Sequence, residues 1–532
     1  VTEGSSTDAH ILAFDLGTTA LKVGLVRMDG RIVDRDTEPQ HVSLLPGGGA
    51  EQDPEAWWGA IVRATRRMLA RADGAAARIV AVNASVQWSG TVPIDADGRP
   101  LANAMIWMDS RGAPQAKRAT DGLIKVEGYG LRRLLTWIRL TGGAPTHSGK
   151  DSIAHILWIR ATQPDLYRRT ALFLEPKDWL NLRLTGRAVS SFDAMTLHWV
   201  TDTRKVDDVR YSDRLLSMAG LDRSKLPDMV PTASVIGTVT PEAAAELGIP
   251  PEAKVVSGAA DLLAAAVGSG AVLDFQPHLY VGTSSWLTCH VPYKKTDLLH
   301  NMASLPSALP GTYLLANEQE SAGVCLARLK DQVLFPDDGL GAQPPPNPYP
   351  ALDGLAETAP PGSNGLIFTP WLNGERTPVD DRFVRGGFFN QTLQTTRADM
   401  VRAVLEGVAF NSRWLLTYVE KFIGRRLDRI RMIGGGASSD LWCRIHADVL
   451  GRTILRVEDP VYCGIRGAAL QAAVGLGTMR IADIPDAVPV SASFEPDPAT
   501  KARYDELFAC FVDLYKRTKP VYARLNRGRG EA

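Results

Sequence analysis

No stretch of the 532 residues stays apolar for the roughly twenty positions that a membrane-spanning helix needs. Cysteine is also scarce. The five are Cys289, Cys325, Cys443, Cys463 and Cys510, an odd number with no CxxC pair, which reads as reduced thiols and not as a disulfide framework or metal cluster. There is no excess of one charge: Lys+Arg and Asp+Glu both number 59. A balanced chain has no general attraction to nucleic acid or anionic membrane, although a local basic patch stays open. Val1 to Ala9 is polar and lacks the apolar core of a signal peptide. The expectation is a cytoplasmic protein that binds neither nucleic acid nor membrane.

What is present is an ordinary globular composition, 45% hydrophobic and 22% charged, in a chain long enough for several folding modules or two large domains. Ile11 to Phe14 is a short apolar run, followed by Asp15-Leu16-Gly17-Thr18-Thr19 and a second run through Val23, Leu25 and Val26. This reads as strand, tight turn, strand. About 265 residues later, Leu279 to Leu287 repeats the theme around Gly282-Thr283-Ser284-Ser285, which suggests two related halves. Trp57 to Ala70, Ile153 to Ile159, Asp178 to Leu184 and Tyr504 to Leu525 have helical spacing. Val401, Leu405, Val408, Ser412, Leu415, Val419 and Phe422 mark a long helix with one buried stripe. Pro227 to Pro251 suits a connection between lobes, and the proline-dense Gln343 to Pro350 suits a surface loop.

Four places could carry chemistry. In the first turn, Gly17 lets backbone approach a ligand, Thr18 and Thr19 offer hydroxyls and N–H groups to phosphate, Lys22 adds a point charge, and Asp15 could hold Mg²⁺ through waters. An ordinary hairpin is the alternative. Gly282, Thr283 and Ser284 repeat that chemistry, and two such turns facing each other would grip a polyphosphate through backbone N–H groups. Gly434-Gly435-Gly436-Ala437-Ser438 joins a strand to a helix and could bring backbone against a flat ligand. Neither GxGxxG nor a Walker A pattern is present. Finally, Asp261 stands at a strand exit before an Ala-rich run. From the bare residues it reads first as a helix N-cap, with a carboxylate exposed in a cleft as the compatible second reading.

In order along the chain, DLGTTALK (15–22), QWSGTVPID (87–95), WMDSR (107–111), LEPKDWLNLRLTG (174–186), GAADLLAAAVGSG (258–270), VGTSS (281–285), GERTP (374–378), RAVLEGVAF (402–410) and GGGASSDLW (434–442) together resemble the FGGY carbohydrate kinases, xylulokinase-like members included. The resemblance implies an α/β fold of two actin-like (ribonuclease H-like) lobes around an interdomain cleft, over residues 10–256 and 257–532. It implies ATP and Mg²⁺, with Asp15, Thr18, Thr19 and Lys22 serving metal and phosphate from one lobe and Gly282, Thr283 and Ser284 bracketing the phosphoryl from the other. Gly435, Gly436 and Ala437 would line the adenine–ribose pocket, and Asp261 would be the catalytic base. Gln87, Trp88, Asp109 and Arg111 are the candidate contacts to a sugar or polyol. A core Trp88 and a structural Asp109–Arg111 ion pair are the alternatives, and the loop Ser148-Gly149-Lys150-Asp151 is a further candidate. The acceptor expected by resemblance is a ketopentose such as D-xylulose, and a homodimer is possible. Gly-Ala-Ala-Asp replaces the family's usual Gly-Gly-Gly-Asp before the base, and Leu262 follows it. The rival readings are a non-catalytic actin-like nucleotide switch and a sugar-sensing kinase relative.

Overall fold

The computed structural model describes residues 9–72, 74–338 and 343–526. The polar opening residues 1–8 and the tail 527–532 of the expected second lobe lie outside them.

The chain builds two large sheets with the same wiring. Strands β1 (His10–Leu16), β2 (Ala20–Arg27) and β3 (Ile32–Pro39) form an antiparallel meander. After helix α1 (Pro54–Arg71), β4 (Ile79–Val86) runs parallel to β1. β5 (Val235–Thr238) and β6 (Lys254–Val256) complete the order β5-β6-β4-β1-β2-β3. In the second half, β7 (Pro277–Val281) and β8 (Ser285–Val291) are the hairpin, and β9 (Tyr313–Ala316) continues it. β10 (Arg429–Ile433) runs parallel to β7, and β11 (Thr453–Val457) and β12 (Val490–Phe494) follow at the far edge. The orders β5-β6-β4-β1-β2-β3 and β12-β11-β10-β7-β8-β9 correspond strand for strand. The repeat visible in the two Gly-Thr turns is therefore a repeat of whole sheets. The central strands β1 and β8 are buried along their full length, as expected for parallel-containing sheets covered on both faces.

The expected helices form, with somewhat wider limits. The long one is Arg397–Ile423, started by a reciprocal capping box in which the Thr396 side chain accepts from the Asp399 N–H and Asp399 accepts from Thr396, worth about 1 kcal/mol. Pro176–Thr185 exits through left-handed Gly186, and Asp440–Leu450 is capped by the Ser439 side chain. Pro227 to Pro251 is not a bare connection. It supplies strand Asp228–Val230, β5 and helix Pro241–Leu247, so its prolines punctuate short elements within the first lobe. In the proline-dense stretch, Gln343 to Pro348 is loop and a helix opens at Tyr349, with Pro350 tolerated in its first turn.

Two helices lie between the sheets. One, Asp261–Gly268, packs on the second sheet through Leu263, Ala264 and Val267. The other, Cys463–Gly475, packs on the first sheet, where Ile465, Ala468, Ala469, Ala472 and Ala473 meet Ile11, Ala13, Val26 and Ala81. They cross at two glycines. A Cβ on Gly467 would overlap the carbonyl oxygen of Ala264, and one on Gly268 would overlap that of Cys463. Small residues at the crossing thus bring two backbones into direct contact. That contact ties the helix beginning at Asp261 to the sheet carrying Asp15. The two-residue strand Ala259–Ala260 also pairs with β4, so a boundary drawn at residue 256 leaves the halves interlocked.

Candidate active site

Asp15 is the last residue but one of β1, 8% exposed, and each carboxylate oxygen has a defined neighbour. Oδ1 accepts from the Ser85 hydroxyl at 3.0 Å, and Oδ2 lies 3.0 Å from Lys22 Nζ. Pairing with Asp15 holds the Lys22 ammonium above its usual pKa against the opposing effect of burial. Gly464, in the helix from the other half, packs against the Asp15 carboxylate so closely that any side chain there would displace it.

Thr19 is exposed at the turn. Thr18 is not free in the same way. Its hydroxyl donates to Gln87 Oε1 (3.2 Å) and accepts from Trp107 Nε1 (2.8 Å), and its carbonyl accepts from Gln52 Nε2 (2.9 Å). The Thr18 side chain therefore faces the interior of the first lobe. Gln87 is similarly engaged: 2% exposed, it donates to Gln52 Oε1 at 2.6 Å. It braces the turn through Gln52 and Thr18.

Asp109 and Arg111 are also paired within the first lobe. Asp109 is fully buried, accepts from the Ala50 N–H at 2.9 Å, and pairs with Arg111, which also reaches Glu51 at 2.5 Å. The guanidinium stacks over Trp158. A buried carboxylate requires such partners, and the pair has the geometry of a structural ion pair. His155 is buried beside it, with Nε2 3.1 Å from the Asp109 carbonyl.

Trp88 does reach the junction. It is half-buried, donates from Nε1 to the Ala194 carbonyl at 3.0 Å, and packs with Leu262 and Tyr280 against the core around the Asp261 helix. The following residue, Ser89, was not singled out from the sequence. It is 6% exposed, has φ +60°, and its hydroxyl has no partner among the described residues. A serine held left-handed with an unsatisfied buried hydroxyl is costly, and no local sequence pattern announces it. Lys150 is half-buried, with Nζ 5.8 Å from the Trp107 ring centroid and no ion pair among the described residues; burial pulls its pKa down. Its electrostatic neighbours Arg376, Glu320 and Glu318 belong to the other half, where Arg376 forks between the two glutamates.

Asp261 is the first residue of its helix, one place beyond the N-cap, which is Ala260. It is not the helix cap: among the described residues its side chain has one hydrogen-bond partner, the Leu262 N–H, which donates to Oδ1 at 2.8 Å. The side chain is half-buried. Desolvation, then the nearby Asp15 and Glu318 charges, push its pKa up to about 7, opposed by the Leu262 N–H and by Lys22. Carboxylates poised near neutrality in a partly enclosed site are suited to taking a proton.

The second turn is held by the start of the helix Gly323–Leu329: the Gly323 N–H donates to Gly282 O at 2.7 Å and the Ala322 N–H to Thr283 O at 2.9 Å. Thr283 is exposed and Ser284 half-buried. Next in the sheet, Gly434 has φ +89° and ψ 179°, a conformation open only to glycine, and Gly435 is exposed with open space above its Cα. Gly436 packs against Val281 and Trp442, and the Ala437 side chain is fully buried in the second core. Of the expected adenine-side trio only Gly435 faces outward, beside the buried Gly434.

With this geometry in place, the comparisons are decisive. The model of the FGGY carbohydrate kinase N-terminal domain matches residues 10–268, and that of the C-terminal domain matches residues 280–476. The chain belongs to the FGGY family of carbohydrate kinases. It is 28% identical to a xylulose kinase of Staphylococcus epidermidis over 97% of this chain and 98% of that one. It is 23% identical to a gluconokinase of Bacillus subtilis, again over 97% and 98%. The crystal structure of a xylulose kinase from Rhodospirillum rubrum superposes with a TM-score of 0.80 at 26% identity, covering 96% of this chain and 99% of that one. This FGGY protein is a carbohydrate kinase with the two-lobed actin-like fold, and ATP-dependent phosphorylation of a sugar hydroxyl is its chemistry. No helix among the described residues is long and apolar enough to cross a membrane.

Proposed function

We propose that the acceptor is a ketopentose of the D-xylulose type, and that Asp261 takes the proton from its reacting hydroxyl. The observation that carries this reading is the position of Asp261. A half-buried carboxylate stands within electrostatic reach of Asp15 and Lys22 from the first turn and of Glu318 from the other half.

In this reading, backbone N–H groups of residues 17–19 and 282–284 cradle the terminal phosphates and Lys22 neutralises part of their charge. Thr283 and Ser284 add hydroxyls, and Gly434 and Gly435 give the nucleotide's flat part a close approach. Phosphoryl transfer asks the protein mainly for positioning and charge stabilisation. Mg²⁺ fits this donor set. Asp15 is a single hard carboxylate, and the described residues hold no group of three or more His, Cys, Asp or Glu that could cage a metal. That suits an ion held by phosphates, water and one carboxylate. When bound, it would screen the phosphate charge.

The acceptor lies against Trp88, whose ring offers an apolar face to C–H groups, with Ser89 and Lys150 nearby. The names of the full-length relatives support a ketopentose. Lys150 favours a second reading: a half-buried ammonium without an ion pair among the described residues would be compensated by an aldonate such as gluconate. Coupled ADP release across ketopentoses, aldoses, glycerol and aldonates separates the two. The expected result is the highest kcat/KM with D-xylulose. A higher value with gluconate selects the second reading, and no acceptor-dependent ADP release with any of them overturns both.

A further inference from the structure

One side chain at the meeting point of the two halves belongs to none of the motifs above. Tyr280, in β7, sits opposite Trp286 in β8, and the two rings stack with centroids 3.9 Å apart and planes 7° from parallel. Trp286 is itself fixed, its Nε1 donating to His278 Nε2 at 3.1 Å. The phenol ring lies along the backbone of the second turn. A Cβ on Gly282 would overlap the Tyr280 hydroxyl oxygen, and one on Gly434 would come within 3.1 Å of ring atom Cδ2. Two of the glycines that shape the nucleotide side therefore also make room for this ring.

The ring places its hydroxyl against Gly282 of the second turn, within electrostatic reach of the first. Its electrostatic neighbours are Lys22, Asp261, Asp15 and Cys463. Tyr280 is half-buried, and none of the described residues hydrogen-bonds to its hydroxyl. A tyrosine clamped by stacking and glycine contacts, with its polar end unengaged among charged groups, is preorganised to donate to something that arrives. Burial pushes its pKa up to about 12, so the proton to be donated is present at neutral pH.

We infer that Tyr280 is a further catalytic residue, whose hydroxyl donates a hydrogen bond to a non-bridging oxygen of the phosphoryl group in transit. This rests on the site assignment proposed above. In the step, the acceptor oxygen bonds to the γ-phosphorus as the bond from that phosphorus to the β,γ-bridging oxygen breaks. The bridging oxygen keeps the electron pair and leaves as ADP. The acceptor's proton goes to Asp261, and the tyrosine keeps its own. The phenol's role is to meet negative charge as it spreads over the equatorial oxygens, beside the backbone donors of the second turn.

The test is Tyr280→Phe in the full chain, which keeps the stacked ring and removes only the hydroxyl. Loss of one such donor is expected to lower kcat by roughly 10- to 100-fold. MgADP affinity by calorimetry and Tm are expected to stay at wild-type values. Affinity for MgADP with aluminium fluoride, which mimics the phosphoryl in flight and needs no acceptor, is expected to fall by a comparable factor. Unchanged kcat together with unchanged aluminium fluoride affinity overturns the proposal. So does a loss of kcat matched by an equal loss of MgADP affinity or accompanied by a lowered Tm, since that marks a structural role. If the wild type releases no ADP with any acceptor, the acceptor assignment has failed, and the aluminium fluoride measurement still decides Tyr280.

Discussion

Replacing Asp261 with asparagine should slow acceptor-dependent ADP release at least ~100-fold, the range for removing a general base, while leaving MgADP affinity intact. The substitution keeps size and the Leu262 N–H contact but removes the proton acceptor. Its pH dependence gives a second handle. Desolvation, then the Asp15 and Glu318 charges, raise its pKa to about 7 against the Leu262 N–H and Lys22, and the Tyr280 phenol is a further neighbour. The wild-type kcat/KM should therefore fall as pH drops below about 7, as the base becomes protonated, and this acid limb should vanish in the residual activity of the asparagine variant. The stability effect has the opposite sign to that of most carboxylates. A carboxyl whose folded pKa lies above its unfolded value contributes stability at low pH and loses it as pH rises through the folded value. Asp261→Asn should consequently raise Tm at pH 8 and raise it less at pH 5. Near-normal turnover in the variant, or a Tm lowered at pH 8, would contradict the assignment.

Gly467→Ala should be the most damaging single-methyl change outside the site. The added Cβ meets the Ala264 carbonyl oxygen, and backbone cannot rotate away as a side chain can. Overpacking typically costs about 1–3 kcal/mol, and a rigid backbone neighbour places this case at the upper end or beyond. Because the displaced helix begins at Asp261 and its partner carries Gly464 against Asp15, kcat should fall with stability. Gly354→Ala is the matched control. It lies within the helix Tyr349–Glu357 with nothing within 4 Å of the new methyl, and helix propensity there favours alanine by up to about 1 kcal/mol. Differential scanning calorimetry and turnover should separate the two. A Gly467→Ala protein with wild-type Tm and kcat would show that the crossing does not set the site.

The features legible in the sequence were those with local causes. Apolar runs broken by Gly17-Thr18-Thr19 and by Gly282-Thr283-Ser284 announce hairpins, and the 27-residue helix from Arg397 announces itself by its stripe. Asp261 was legible as an acid at a strand exit, although not as a residue one step past the cap. What stayed hidden depends on partners distant in the chain. Asp109 meets Ala50 and Glu51 meets Arg111 only after folding, which gives two candidate sugar contacts structural partners. Gln87 joins the same kind of internal network through Gln52 and Thr18. Ser89 owes its interest to a backbone angle, and Tyr280 to a ring lying over Gly282. Neither is a matter of residue type or spacing. Ala437 looked like part of a glycine-rich approach, yet its methyl fills the second core.

The most direct measurement is a crystal structure with a non-hydrolysable ATP analogue, Mg²⁺ and the acceptor that gives the highest kcat/KM. The terminal phosphate is predicted to sit between residues 17–19 and 282–284, with the acceptor's reacting oxygen within hydrogen-bond distance of Asp261. A terminal phosphate remote from either turn, or a reacting oxygen facing a group other than Asp261, would contradict the account.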